Sequence, residues 1–443
     1  MAIGAGGKKT GWYHGWNIVV VCILASIAAS SLPTTGFSLF VTAWSRDLHA
    51  PVSTLALGIT VFALGCAFLS PFTGVISDRF PTRIVLAGGI AGMAVLSIAM
   101  SYVTAIWQYL AIYLLLSAAV LASTTIPANS VVMRWFVRKL GLALGLTSMG
   151  LSMAGIVMPP IVAALLPDFG WRLIWRFAGI FIGVVVLPLV LLVIRERPEA
   201  RDGTHYLSAE GNAAAAQHAH GAKGGDSSLG WRGILGRRNF WFMVVAYLAM
   251  LIPYGGAGYN LSPIGASRGL SIAMSSYLLS GWALSQMLAT LGSGMLSDKF
   301  GNRLPMAGLA FMTAAGSVLV GIGPNFTILM IGSLLVGVGG GFWPLIASAL
   351  AAEYGAAAFG RAFGMLMLFL PVGSMPAFIV AKSKETTGSY APALLGMAVV
   401  AAIGGISALL LREKRGGHVT PQEEAAVEEA TVPLLHTGRA SST

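Results

Sequence analysis

The chain has 443 residues, 56% hydrophobic and only 10% charged, with a formal net charge of +11 and a mean hydropathy of +0.79. A soluble domain carries about a quarter charged residues, so the composition excludes an ordinary water-soluble globule. The surplus of Lys and Arg calls for no nucleic-acid partner, because it follows from where those residues fall between apolar windows.

In chain order, windows free of Asp, Glu, Lys and Arg run from Lys9 to Arg46 (36 residues), Asp47 to Asp78 (30), Arg83 to Arg134 (50), Lys139 to Asp168 (28) and Arg176 to Arg195 (18). The series then repeats: Arg238 to Arg268 (29), Arg268 to Asp298 (29), Arg303 to Glu353 (49), Arg361 to Lys382 (20) and Glu385 to Arg412 (26). A spanning helix takes about 20 residues, so each window holds one span and the two near 50 hold two. Twelve spans are predicted, at roughly 15–42, 52–77, 84–101, 106–131, 140–166, 173–194, 239–262, 272–297, 304–323, 327–352, 358–381 and 390–411, in two halves that repeat.

The organisation expected is an N-terminal segment 1–14, a six-helix bundle 15–195, a linker 196–238, a second bundle 239–411 and a disordered tail 412–443. With the N-terminus inside, 21 basic residues face the cytoplasm and six the other side. That bias predicts a multi-pass protein of the cytoplasmic (inner) membrane with both termini cytoplasmic. Cys22 and Cys66 fall within spans and indicate neither a disulfide framework nor a metal site. The apolar stretch 16–41 is too long for a signal-peptide core. Glycines recur within spans, as at Gly150 and Gly155 or Gly337, Gly339, Gly340 and Gly341, and are expected to let helices approach closely.

After the second span the chain reads Gly74-Val-Ile-Ser-Asp78-Arg79-Phe-Pro-Thr-Arg83, and after the eighth Gly294-Met-Leu-Ser-Asp298-Lys299-Phe-Gly-Asn-Arg303. The strings lie 220 positions apart and share Gly, Ser, Asp, Phe and Arg in register. They resemble the Gly-x-x-x-Asp-Arg-x-Gly-x-Arg signature of the major facilitator superfamily, with Pro81 where a glycine is usual. The resemblance covers residues 10–412. It implies an all-α integral membrane fold of two pseudo-symmetric six-helix bundles, and a secondary active transporter, not an enzyme, that works by alternating access without a cofactor. In that fold Asp78 is expected to face the partially positive N-terminus of span eleven, and Asp298 that of span five. Arg79 and Arg83 are expected to pair with Glu353, and these residues with Lys299 and Arg303 form the candidate gate.

A finer resemblance rests on Arg134-Trp135-Phe136-Val-Arg138-Lys139-Leu-Gly141, Gly170-Trp171-Arg172 and Gly11-Trp12-Tyr13-His14-Gly15-Trp16. These are similar to the monocarboxylate-transporter and oxalate/formate-antiporter branch, which implies an organic-anion substrate, often with a proton as co-substrate. The branch's charged site residues do not carry over. Thr34 follows Leu32-Pro33 where that branch has a lysine, and Gln286 and Thr290 stand where it has an acid and an arginine. A bare carboxylate at mid-membrane costs several kcal/mol. Three alternatives stay open: the acid crosses partly protonated or held by helix N-termini and hydroxyls, the solute is neutral or amphipathic, or Arg134 or Arg176 reaches inward.

Transporter sites form near the midplane where helices break. Span one breaks over 31–36 and span seven over 253–256. The candidate substrate-binding residues are therefore Thr34, Thr35, Asn129, Tyr254, Tyr259, Asn260, Gln286, Thr290 and Trp343, a neutral pocket with aromatic walls. Hydroxyls in a span also commonly bond a carbonyl one turn back, so each threonine has two readings. The leading expectation is uptake of a small monocarboxylate-like or aromatic acid by a monomer or weak oligomer, and the alternative is efflux of a neutral or amphipathic compound. No Walker sequence, metal-ligand cluster or triad spacing argues for an enzyme or receptor.

Overall fold

Among the described residues, ten segments are helical, long and apolar enough to cross a membrane. The computed structural model describes residues 14–124, 127–128, 131–132, 135–136, 140–195 and 231–410. The expectations for the N-terminal segment, most of the linker, the tail, Asn129 and Arg134 lie outside the described residues, as do the side chains of Asp78, Arg79 and Asp298.

Helix α1 runs His14–Ser30, passes through a π turn at Ser31–Thr35 and resumes as Phe37–Asp47. It is followed by α2 (Val52–Arg79), α3 (Thr82–Met100) and α4 (Ile106–Ser123). The helix Leu140–Phe181 holds two spans, because Gly170 (φ 67°, ψ 164°) breaks it; α5 lies before that glycine, and α6 lies after it and continues to Val193. A side chain at that φ would be strained, which is why glycine stands there. In the second half, α7 comprises Arg238–Gly258 and Leu261–Ser267, followed by α8 (Ile272–Phe300) and α9 (Arg303–Ile322). Helix α10 starts at Phe326–Gly337, tightens through a 3-10 turn at Val338–Gly341 and enters Phe342–Met367, which carries on into α11. Helix α11 continues as Leu370–Ser374 and Pro376–Thr387, and α12 is Ala391–Leu409. Segment Met149–Val193 counts twice, and α8, more polar because of Ser275, Ser276, Ser280, Ser285 and Gln286, completes the twelve spans among the described residues.

The breaks follow from backbone chemistry. Pro33 has no N–H to donate, so α1 widens, and Gly36 N–H reaches the Ser31 carbonyl at 2.7 Å. Hydroxyls also bond the carbonyls of this turn: Thr34 Oγ1 donates to Ser30 O (2.6 Å), Thr35 Oγ1 to Ser31 O (2.7 Å) and Tyr113 of α4 to Pro33 O (3.3 Å). In lipid such repair is what makes a broken helix tolerable.

Glycines set how closely the spans cross. A Cβ on Gly89 of α3 would meet Ser123 N at 2.6 Å and the Ala122 carbonyl carbon at 2.7 Å, both α4 backbone, whereas one on neighbouring Gly88 would meet nothing within 4 Å. A Cβ on Gly155 of α5 would meet Ala283 Cβ of α8 at 2.5 Å and Thr35 Cγ2 of α1 at 3.5 Å, so the halves approach closely there.

This contrast predicts that Gly89→Val destabilises the protein by about 1–3 kcal/mol, the usual cost of overpacking, while Gly88→Ala is neutral or slightly stabilising. Thermal unfolding of the two variants in the same detergent checks it.

Candidate functional site

The bend of α1 and the break of α7 bring two aromatic residues face to face across the halves. Phe37 stands edge-on to Tyr259 (6.0 Å between centroids, 88°) and to Tyr113 (6.3 Å, 83°). On the far side Tyr259 meets Trp282 (6.4 Å, 62°), which lies beneath Tyr254 (4.7 Å, 32°). Tyr113, Phe37, Tyr259, Trp282 and Tyr254 therefore form a row of rings across the joint. Beyond it, at the end remote from the two signature loops, the halves are bonded together. Ser262 N–H donates to Ser38 Oγ (3.0 Å), and Ser53 donates to Glu385 through both N–H (3.0 Å) and hydroxyl (2.8 Å). At mid-depth Ser280 Oγ donates to the Ile156 carbonyl (2.9 Å).

Helix α8 shows which side of the row is accessible. Leu284, Leu288, Leu291 and Met295, at i, i+4, i+7 and i+11, are exposed and form its lipid stripe. At about 100° per residue, Gln286 points roughly opposite that stripe. It is nevertheless only half-buried, so its exposure is to an internal space between the helices. Its carboxamide makes no hydrogen bond among the described residues, while its stem packs over Gly340 of α10, where a Cβ would come within 2.3 Å. Trp282 and Thr290 sit one turn to either side on the same face. Thr290 Oγ1 approaches Gly340 O at 3.5 Å, and the buried Trp282 Nε1–H has no partner among the described residues. Gln286 lies 14 residues from each end of α8, about 21 Å at 1.5 Å per residue, and so at mid-depth.

The other expected site residues divide. Thr34 and Thr35 are half-buried beside this space, but their hydroxyl protons are committed to α1 carbonyls, which leaves only acceptor lone pairs. Asn260 is 2% exposed and donates to Gly256 O (2.9 Å) and Ala377 O (3.1 Å). Its amide pins the α7 break to α11 and has no N–H left for a solute. Tyr254 and Tyr259 serve as ring walls. Trp343 is half-buried, stacked on Phe342 (4.9 Å, 29°) and edge-on to Tyr247 (5.8 Å, 76°). Trp282, Phe37 and Tyr113 were not among the residues expected from sequence. Trp282 stood one helical turn from Gln286, which was the available signal.

At the candidate gate Glu353 has partners within its own half. Arg237 Nη1 lies 3.5 Å from its Oε1, and Asn239 Nδ2 donates to its Oε2 at 3.0 Å, so both partners come from the start of α7 in its own half. The expected pairing of Glu353 with Arg79 lies outside the described side chains. Arg83, Lys299 and Arg303 are exposed, and Lys299 extends over the Phe300 ring at 5.4 Å. Arg176 does not reach inward. It lies over the Tyr102 ring (4.7 Å) with its Nε 3.5 Å from Ser101 Oγ, at the end remote from the signature loops. Nearby, Asp47 accepts from Trp171 Nε1 (2.9 Å) and from Arg172, tying α1 to α6. The Trp171 bond lowers the Asp47 pKa most, partial burial opposes it and Arg172 assists. The stability this tie contributes is therefore full above the ordinary aspartate range and is lost as pH falls through the lowered value.

Comparison with known proteins gives the class. The family model for the Major Facilitator Superfamily matches residues 20–279 and 250–441. The chain belongs to that superfamily and is a membrane transporter. A solved bacterial homologue of the human lysosomal transporter Spinster, in an inward-facing and unoccupied conformation, superposes with a TM-score of 0.64 at 15% identity, covering 92% of this chain and 98% of that one. Among curated relatives, the uncharacterized MFS-type transporter YcxA of Bacillus subtilis is 23% identical over 43% of this chain and 46% of its own length. The riboflavin transporter RibJ of Trypanosoma brucei brucei is 28% identical over 36% and 31%. The multidrug resistance protein MdtG of Enterobacter lignolyticus is 29% identical over 42% and 44%. The match thus spans less than half the length of each of these three relatives. None of these likenesses singles out the monocarboxylate or oxalate/formate branch.

Asn260→Ala is expected to lose about 1–3 kcal/mol of stability, because it removes both the bond to the Gly256 carbonyl at the helix end and the tie to Ala377. Thermal unfolding reads the loss, and Asn260→Asp, which cannot donate to either carbonyl, is expected to do no better.

Proposed function

We propose that this protein moves a small uncharged or amphipathic organic molecule across the cytoplasmic membrane by alternating access, with the signature loops facing the cytoplasm. The observation that carries the reading is Gln286, a mid-depth carboxamide without a partner among the described residues, which looks into the space beneath the aromatic row. Among the described residues no acidic or basic side chain lies at that depth. A carboxamide offers both donor and acceptor to a neutral polar group, and the rings supply stacking surface. The names of the relatives, a riboflavin transporter and a multidrug resistance protein, support organic solutes of this kind.

An organic acid, as the finer sequence resemblance implies, would have to cross protonated. Desolvating the anion without a counter-charge costs several kcal/mol, and Arg176 is engaged at the far end. In this reading Asp78 and Asp298, with Arg79, Arg83, Lys299 and Arg303, act as the cytoplasmic gate through helix N-termini, and Glu353 steadies the adjoining end of α10 from α7.

Purified protein in liposomes with an imposed pH gradient tests the proposal. Uncharged amphipathic compounds are expected to move while labelled monocarboxylates do not; gradient-driven accumulation of monocarboxylates would overturn it. Gln286→Leu should weaken apparent affinity for a transported solute by about 2- to 10-fold, the equivalent of one hydrogen bond, as read in KM. Asp78→Asn should slow transport with insertion unchanged, and wild-type rates in that variant would remove Asp78 from the gate.

A further inference from the structure

Where α2 begins, its first-turn N–H groups need an acceptor, and the residue in the capping position is Pro51, whose side chain offers none. Glu385, near the end of α11, supplies the cap from the other half of the protein. Its Oε1 accepts from Ser53 N–H at 3.0 Å and its Oε2 from Ser53 Oγ at 2.8 Å, across 332 residues of sequence. Ser53 is 2% exposed, so its N–H has no ready access to water as a substitute. A carboxylate bound this way is held by charge-assisted hydrogen bonds and by the partial positive charge of the α2 N-terminus.

We propose that the Ser53–Glu385 clasp is a proton-released latch: protonating Glu385 frees α11 from α2 and lets the halves part at the end remote from the signature loops. The neutral acid can still bond Ser53, its own hydroxyl donating to Oγ, but the bonds lose their charge assistance, Lys382 loses its partner, and the attraction of the helix terminus is gone. The other contacts between the halves at this end, Ser262 with Ser38 and Phe37 with Tyr259, are neutral and indifferent to pH. The charged groups around Glu385 are few. On its own helix Lys382 Nζ lies 3.3 Å from Oε2, and Lys384 is turned away to the Gly388 carbonyl (2.7 Å) and the Tyr390 ring (5.6 Å). Tyr390, at the start of α12, faces it from the following turn. On the other half, residues 50–65 contain no acidic or basic side chain, and His49 lies four residues before Ser53, near Asp47.

The latch requires only that the halves separate at this end, so it stands or fails apart from the identity of the solute. It is tested on the full chain in detergent, with Cys22 and Cys66 replaced by Ser and spin labels introduced at the exposed positions Thr104 and Ser267. Acidification is expected to add a second, longer population to the inter-label distance distribution. Glu385→Gln is expected to show that population already at neutral pH and to respond no further to acid. Ser53→Ala, which removes one donor and keeps the N–H, should give a smaller shift and serves if Glu385→Gln is poorly folded. A distribution unmoved by acid in the Glu385 protein would overturn the proposal, as would Glu385→Gln keeping the full acid response.

Discussion

Within hydrocarbon a peptide N–H or C=O has no water to turn to and must find its partner in the protein. The interior of this transporter is arranged around two places where that requirement is strained and then met locally. At Pro33 the missing N–H widens α1 into a π turn, and the hydroxyls of Thr34, Thr35 and Tyr113 bond the carbonyls of that turn. At the end of Gly258 the helix α7 stops, and Asn260 satisfies Gly256 in its own helix and Ala377 in α11. The bends so stabilised carry Phe37 and Tyr259 to the joint between the halves, and the ring row beneath which Gln286 sits follows from them.

The two halves are held together by contacts of unequal character. Packing of Gly155 on Ala283 and the Ser38–Ser262 and Ser280–Ile156 hydrogen bonds are neutral, individually small and insensitive to solution conditions. The contact between Ser53 and Glu385 is charged, lies nearest the aqueous phase and spans the joint. An end closed mainly by neutral contacts of modest energy can open without a large barrier, which alternating access needs. The charge sits where water can reach it.

Residue-level legibility of the site followed chemistry. Gln286 was visible in the sequence as a polar side chain within a span, and the fold sets it opposite the lipid stripe of α8. The threonines of α1 were ambiguous in sequence, and the fold commits their hydroxyl protons to carbonyls. Asn260 looked like a solute ligand and is a helix pin. Glu353 stood out as a lone acid at a helix end, and the fold sets Arg237 and Asn239 of its own half against it. In each case the sequence showed a polar side chain at a helix break or end, while which neighbour comes within 3 Å depends on helix rotation.

The sequence by itself determined that the chain crosses a membrane repeatedly, that its halves repeat and that the paired signature loops place it in its superfamily. Those conclusions rest on one-dimensional facts: how long the chain runs without charge, and what recurs at a fixed separation. Only the tertiary structure decided which polar groups of the interior are occupied and which are free. It also disclosed Trp282 beside Gln286 and Glu385 on the first turn of α2. The reason is physical. Hydropathy is set by composition along a segment, whereas a hydrogen bond needs two groups aligned to within a few tenths of an ångström, and that alignment is fixed by how helices far apart in sequence pack together.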